Sequence, residues 1–220
     1  VIDRLPKILK KVKSIKSVVI INYPGKPFLK SKKIKKIKFF YWNSIMKIKN
    51  KKIQFEKFDF EHELAILYSS GTTGKPKCIC HRSGGVLLQH LKEHQLHCEM
   101  KENDNIFYFT TCGWMMWNWL VTALSSKASI VMFEGFPMYK RDDLLIKLAD
   151  EEKITLFGVS AKYIDSLNKS NILNKKKYKL KNLRTICSTG SPLSEEGFNF
   201  IYKKVKKNVH LASISGGTDI

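Results

Sequence analysis

The chain has 220 residues, 43% of them hydrophobic, with 40 Lys+Arg against 19 Asp+Glu and a formal charge of +21. That apolar share is enough to bury a real core and excludes a wholly disordered chain, while no run approaches the roughly 20 apolar residues that span a membrane. The charge is lopsided, with 18 basic and 3 acidic residues in 1–60 against 22 and 16 in 61–220. In chain order, "LPKILKKVKSI" has helical apolar spacing after a proline start, and "SVVIINYP" is a short β-branched strand ended by Pro24. Residues 25–60 read as loop with one short helix around Phe39 to Ile48. Regular alternation follows: strands "LAILYS" and "CICH", helix Gly84 to Met100, strand "NIFYFT" and an apolar helix from Met115 to Ser125. Strand "ASIVMFE", helix Asp142 to Glu152, strand "ITLFGVS" and helix Ala161 to Leu167 come next, and strand "RTICST", helix Ser194 to Lys206 and strand "VHLASIS" complete the pattern. Strands written as continuous apolar runs between helices predict an α/β fold with parallel sheets flanked by helices. Ligands in such folds bind beyond the carboxyl ends of the strands.

The lysines of the first quarter interleave with isoleucine and asparagine, without an RNA-binding, zinc-finger or helix-turn-helix signature. A solvated basic surface accounts for them, and a nucleic-acid module over residues 7–57 is the alternative from another class. The five cysteines, Cys78, Cys80, Cys98, Cys112 and Cys187, are odd in number and lie in apolar segments, as in a reduced, cytoplasmic protein. His90, His94 and His97 fall within roughly 60° of one α-helical face, a spacing that suggests zinc only with a further ligand from elsewhere.

Directly after "LAILYS" comes "YSSGTTGKPK". Gly71 and Gly74 let the backbone turn and approach a ligand closely, Ser69, Ser70, Thr72 and Thr73 add hydroxyl donors, and Lys77 adds a positive charge. Such a cluster suits phosphate oxygens. A Walker loop needs four residues between its glycines and a Ser/Thr directly after the lysine, whereas here two intervene and Pro76 follows Lys75, so a Walker-type NTPase is disfavoured.

The stretch resembles the phosphate-binding loop of the adenylate-forming enzymes: acyl-CoA synthetases, luciferases and peptide-synthetase adenylation domains. "TTCGWMMWNW", "FEGFP", "STGSPLSEEGF" and "SISGGTDI" narrow the resemblance to acetoacetyl-CoA synthetases, and it covers nearly all of residues 60–220. It implies part of the large N-terminal domain of such an enzyme, with residues 1–59 a basic portion of that AMP-binding domain and 60–220 its centre. The implied activity is ATP-dependent: acetoacetate is converted to an acyl-adenylate and then to acetoacetyl-CoA, with magnesium as cofactor and coenzyme A as second substrate. Another short acid, such as acetate, propionate or butyrate, is the alternative within the class.

By the same resemblance, the loop from Ser69 to Lys77 holds the pyrophosphate end of ATP, and Gly190, Ser191 and Pro192 line the adenine. Ser215, Gly216, Gly217 and Thr218 form a nucleotide-binding turn in which Thr218 bonds the α-phosphate, and Asp219 helps hold magnesium. Lys77 and Thr218 carry the catalytic roles. Acetyl-CoA synthetases carry tryptophan at the place of Gly216, so glycine there leaves room for a longer acyl group. Trp114, Met115 and Met116 form the other wall, Asn118 offers an amide to the 3-keto oxygen, and Trp117 and Trp119 go mainly to the core. Gly190–Ser191–Pro192 ahead of Ser194 and two glutamates also reads as an ordinary helix start.

Two departures stand out. "CICHRSGG" differs from the aliphatic-plus-histidine run usual after the loop, and Cys112 stands where threonine is usual. The chain lacks an initiator methionine and stops just after "SISGGTDI", ahead of the family's ribose-binding aspartate, hinge and C-terminal domain, which predicts an internal fragment inactive by itself.

Overall fold

A computed structural model describes residues 4–21, 37–49, 52, 54–69, 74–174 and 178–218. The chain divides into two units, Val1–Lys57 and Phe58–Ile220. In the first, α1 (Leu5–Lys11) starts at Arg4 with Pro6 in its first turn, and β1 (Ser17–Ile20) pairs in parallel with β2 (Lys38–Tyr41). The helix expected around Phe39 to Ile48 is shorter: Phe39 and Phe40 lie in β2, and α2 spans Trp42–Ile45. Phe39, Phe40 and Tyr41 are consecutive aromatics whose burial alternates along the strand, and such residues favour a pleated surface over a helix.

The second unit opens with β3 (Glu63–Ser69) and β4 (Lys77–Arg82), which pair antiparallel from Ala65↔His81 to Ser69↔Lys77. The two strands therefore form a hairpin, with Ser69 and Lys77 as its last pair. Then follow α3 (Ser83–Lys92), β5 (Asn105–Tyr108), α4 (Met115–Thr122), β6 (Ser129–Val131) and α5 (Leu144–Glu151). The unit ends with β7 (Leu156–Ser160), α6 (Ala161–Ser170), β8 (Thr185–Thr189), α7 (Glu195–Phe200) and β9 (His210–Ser213). A five-stranded parallel sheet runs in the order β6-β5-β7-β8-β9, the architecture that the alternation of strands and helices predicts.

The register explains why the central strands read as unbroken apolar runs. Ile106 pairs Leu156, Phe107 pairs Phe157 and Tyr108 pairs Gly158, and alternate side chains leave on opposite faces. Phe107, Phe157, Val159 and Ile186 join α5, α6 and α7 in one core, whereas Ile106, Tyr108, Leu156 and Cys187 join α4 in the other. Both faces are covered, so no position on β8 is polar for solvation: all five residues of the strand are buried.

Two glycines are needed by geometry. At Gly158 a Cβ would collide with the Tyr108 ring, and that close approach lets Tyr108 lie over β7 and meet Trp119 and Trp114 edge-on at 5.7 and 6.3 Å. Gly190, just past β8, has φ +88°, a conformation that costs an L side chain strain even with open space around it. The helix start read from "SPLSEE" is real: Ser194 caps α7 by accepting from the Gly197 amide at 3.1 Å, and Glu195 and Glu196 occupy the first turn. Ser160 does the same for α6 with Tyr163 at 3.2 Å.

Candidate functional site

At the edge of the parallel sheet where β5, β8 and β9 end lies a cavity of about 910 Å³, where this topology puts ligands. The segment after β9, Ile214 to Thr218, and Gly190 after β8 form one side. Trp114, Met115, Met116 and Trp119 form a second, and residues of β4 and α3, among them Ile79, His81 and His90, form a third. The turn is tied to the sheet through the ladder: Ile214 donates to Ser188 O at 2.8 Å, continuing the β8–β9 pairing one step toward the turn.

Of the residues singled out in the sequence, Trp114, Met115, Met116, Gly190, Ser215, Gly216, Gly217 and Thr218 come together around this cavity. Ser69 and Lys77 face each other as the last pair of the hairpin; Lys77 and Gly74 are exposed. Ser70, Gly71, Thr72, Thr73 and Asp219 lie outside the described residues. Ser191 and Pro192 are exposed and outside the cavity lining, as is the half-buried Asn118, whose carbonyl accepts from Thr122 Oγ1 at 2.8 Å. At Gly216 no heavy atom lies within 4 Å of where a Cβ would stand, so this part of the wall is open.

Sequence reasoning missed several members of the lining. His81 on β4 bonds through Nε2 to the carbonyl oxygen of Thr218 at 2.6 Å, across 137 residues of chain. Glu93 accepts from Trp119 Nε1 at 2.8 Å through one oxygen and from Gln89 Nε2 at 2.8 Å through the other, which fixes the indole against the cavity. Trp119, assigned to the core, is both: it is 3% exposed and its remaining edge belongs to the wall. Cys98 and Cys187 also reach the lining, and their mutual hydrogen bond holds the Cys98 thiol below its ordinary value and pushes Cys187 above it. Only the fold could reveal these, because the partners lie on different elements.

The His90 and His94 rings lie 6.2 Å apart, and His90 and His97 both line the cavity. After Lys92 the helix widens into a π turn over Glu93–His97, closed by Cys98 N to Glu93 O at 2.9 Å, and His97 at its end is exposed. Thr122 Oγ1 gives its proton to Asn118 O, so the 3.0 Å contact with His90 Nδ1 makes that nitrogen the donor. Burial holds His90 below the usual imidazole value. Among the described residues no three His, Cys, Asp or Glu side chains are grouped to hold a metal ion.

His94 is fully buried behind Trp119, edge-to-face at 4.2 Å, and neither ring nitrogen has a hydrogen-bond partner. Desolvation, with His90 nearby, lowers its pKa from 6.5 to about 4. Between those values the unfolded chain takes up a proton that the folded one refuses, so stability falls as pH drops through the window, by about 3 kcal/mol in all. Thermal unfolding followed from pH 7 to 4 should lose this slope in His94→Leu; an unchanged slope would assign the acid lability to other groups.

A model of the AMP-binding enzyme family matches residues 2–217. The acetoacetyl-coenzyme A synthetase of Rhizobium meliloti (strain 1021) is 52% identical over 166 residues, covering 76% of this chain and 26% of that protein. The acetoacetyl-CoA synthetase of Xenopus tropicalis is 40% identical over 223 residues, covering 100% of this chain and 33% of its own. Among solved structures, acetoacetyl-CoA synthetase from Streptomyces lividans superposes with a TM-score of 0.84 at 32% identity, over 99% of this chain and 33% of that one. The chain thus spans a quarter to a third of the length of these relatives.

Proposed function

The chain belongs to the family of AMP-binding enzymes, and from that premise we propose that it contributes the nucleotide and acyl sites of an ATP-dependent ligase joining acetoacetate to coenzyme A. The observation that carries this reading is the cavity at the strand ends, which gathers Trp114, Met115, Met116, Gly190 and the Ser215–Thr218 turn around an open position at Gly216. The names of relatives at 52% and 40% identity support the same acid.

In the first step a carboxylate oxygen of the acid attacks the α-phosphorus of ATP in line, and the bond to the bridging oxygen breaks as pyrophosphate leaves. Charge accumulates on the phosphate oxygens, so positioned donors and cations carry the catalysis. The loop from Ser69 to Lys77 holds the departing pyrophosphate, Thr218 donates to the α-phosphate, and Gly190, Ser191 and Pro192 line the adenine. Asp219 supplies a carboxylate for magnesium, a hard cation that takes oxygen ligands and neutralises phosphate charge when bound. In the second step the coenzyme A sulfur attacks the acyl carbon, the bond to AMP breaks and the thiol proton is released. The five cysteines, all free, fit a reducing cytoplasm.

The test is acid-dependent ATP–pyrophosphate exchange by the full-length protein with acetoacetate, acetate, propionate and butyrate. Acetoacetate is expected to give the highest kcat/KM. A different best acid would keep the ligase and replace its substrate; exchange with none of them would overturn the reading.

A further inference from the structure

The β4 wall of the cavity and its Ser215–Thr218 wall come from separate sheets. Lys77 begins β4 of the β3–β4 hairpin, which pairs with no strand of the five-stranded sheet. The Ser215–Thr218 turn follows β9 at that sheet's other end. Between described residues, the bond from His81 Nε2 to Thr218 O is the one hydrogen bond that joins the hairpin to the parallel sheet or its loops, and also the one that Ser215 to Thr218 make. At 2.6 Å, with a carbonyl as acceptor, the imidazole must present Nε2–H. His81 is half-buried in the cavity lining, so the bond sits at the wall where the two sheets meet.

We propose that His81 is a positioning residue that sets the Thr218 turn in register with the hairpin bearing Lys77, so that groups contacting opposite ends of a nucleotide triphosphate stand at a fixed spacing. The proposal rests on the nucleotide reading of this cavity given above. Its physical basis is that transfer at phosphorus depends on placement: a displacement of about 1 Å costs on the order of 100-fold in rate. A backbone carbonyl held by a side chain from another sheet is a direct way to transmit the hairpin's position to the turn. His81 reacts with nothing itself; it acts through Thr218.

Three forms of the full-length protein separate this role from simple space-filling. His81→Phe keeps a ring but no donor, and His81→Gln places an amide N–H close to where Nε2 stands. The exchange kcat is expected to fall about 10- to 100-fold in His81→Phe, with the KM for the acid changed less than about 3-fold, and to return within about 5-fold of wild type in His81→Gln. Crystal structures of the three supply a readout independent of turnover: the Thr218 carbonyl should move by about 1 Å or more in the phenylalanine variant and stay in place in the glutamine one. Should His81→Phe fail to fold, His81→Met, also without a donor, takes its place. Equal kcat in the donor and donor-free variants, or an unmoved Thr218 carbonyl, overturns the proposal. A wild-type protein that exchanges pyrophosphate with no acid counts against the ligase reading instead, and the crystallographic comparison then decides the role of His81.

Discussion

Asp143→Ala is expected to lower the unfolding free energy by about 3 kcal/mol, seen as a shift of roughly 1.5 M in the urea midpoint at unchanged slope. The carboxylate is fully buried just before α5, where it accepts from Arg141 Nε at 2.6 Å and Nη2 at 2.9 Å and from the Tyr178 hydroxyl at 2.5 Å. Arg141 also donates to Tyr178 at 2.8 Å, closing a ring of three groups. Burial, then the bond to Asp143, pushes the Tyr178 hydroxyl up to about 12. Removing the carboxylate leaves a guanidinium and a hydroxyl without their acceptor, and a buried pair broken on one side loses about 3–5 kcal/mol. The lower end applies because Arg141 is 29% exposed and can turn toward water. The consequence reaches the core directly, since Leu145 and Ile146 on the first turn of α5 are 0% and 3% exposed. Arg141→Leu combined with Asp143→Ala should cost less than the two single changes added together, because each removes the same bonds. Strict additivity would mean that the ring contributes nothing beyond its separate members.

The sheet was legible because its strands carry the apolar runs that two-sided burial demands: "ITLFGVS" and "RTICST" contain β7 and β8, which start two residues and one residue later and end where the runs end. Helix ends were less legible. Gly84 to Met100 and Ser194 to Lys206 read as single helices, but both end in π turns, Glu93–His97 and Ile201–Val205, which leave no mark in a 3.6-residue pattern. The antiparallel hairpin was missed because short apolar runs do not state which strand they pair with. At the site, residues contiguous in a motif were found, Trp114 to Met116 and Ser215 to Thr218 among them. Those that depend on a partner far along the chain were not: His81 matters through Thr218, and Glu93 through Trp119. Each of these is an unremarkable helix or strand residue until the fold brings its partner within 3 Å.

Gly216→Trp tests the pocket reading with the largest change in function. No heavy atom stands within 4 Å of a Cβ at this position, its φ lies outside the left-handed region, and it borders the cavity shared with Trp114, Met115 and Met116. The backbone therefore accepts the side chain without strain, and the indole, an aromatic group of roughly 150–250 Å² of buriable surface, projects into space now open. Gly190, with φ +88°, offers no such freedom, so the comparison isolates bulk from backbone distortion. Acetoacetate is larger than acetate by a carbonyl and a methyl group. Each such increment is worth 10- to 200-fold where a pocket is filled, so exchange kcat/KM for acetoacetate should fall on the order of 1,000-fold. Acetate, which does not need the filled volume, should hold or gain, and the preference should reverse. Equal losses for both acids would mean that the indole disturbs the nucleotide turn rather than the acyl space, because Thr218 is only two residues away. An undiminished rate with acetoacetate would put the acyl group elsewhere and leave the open wall at Gly216 without a part in choosing the acid.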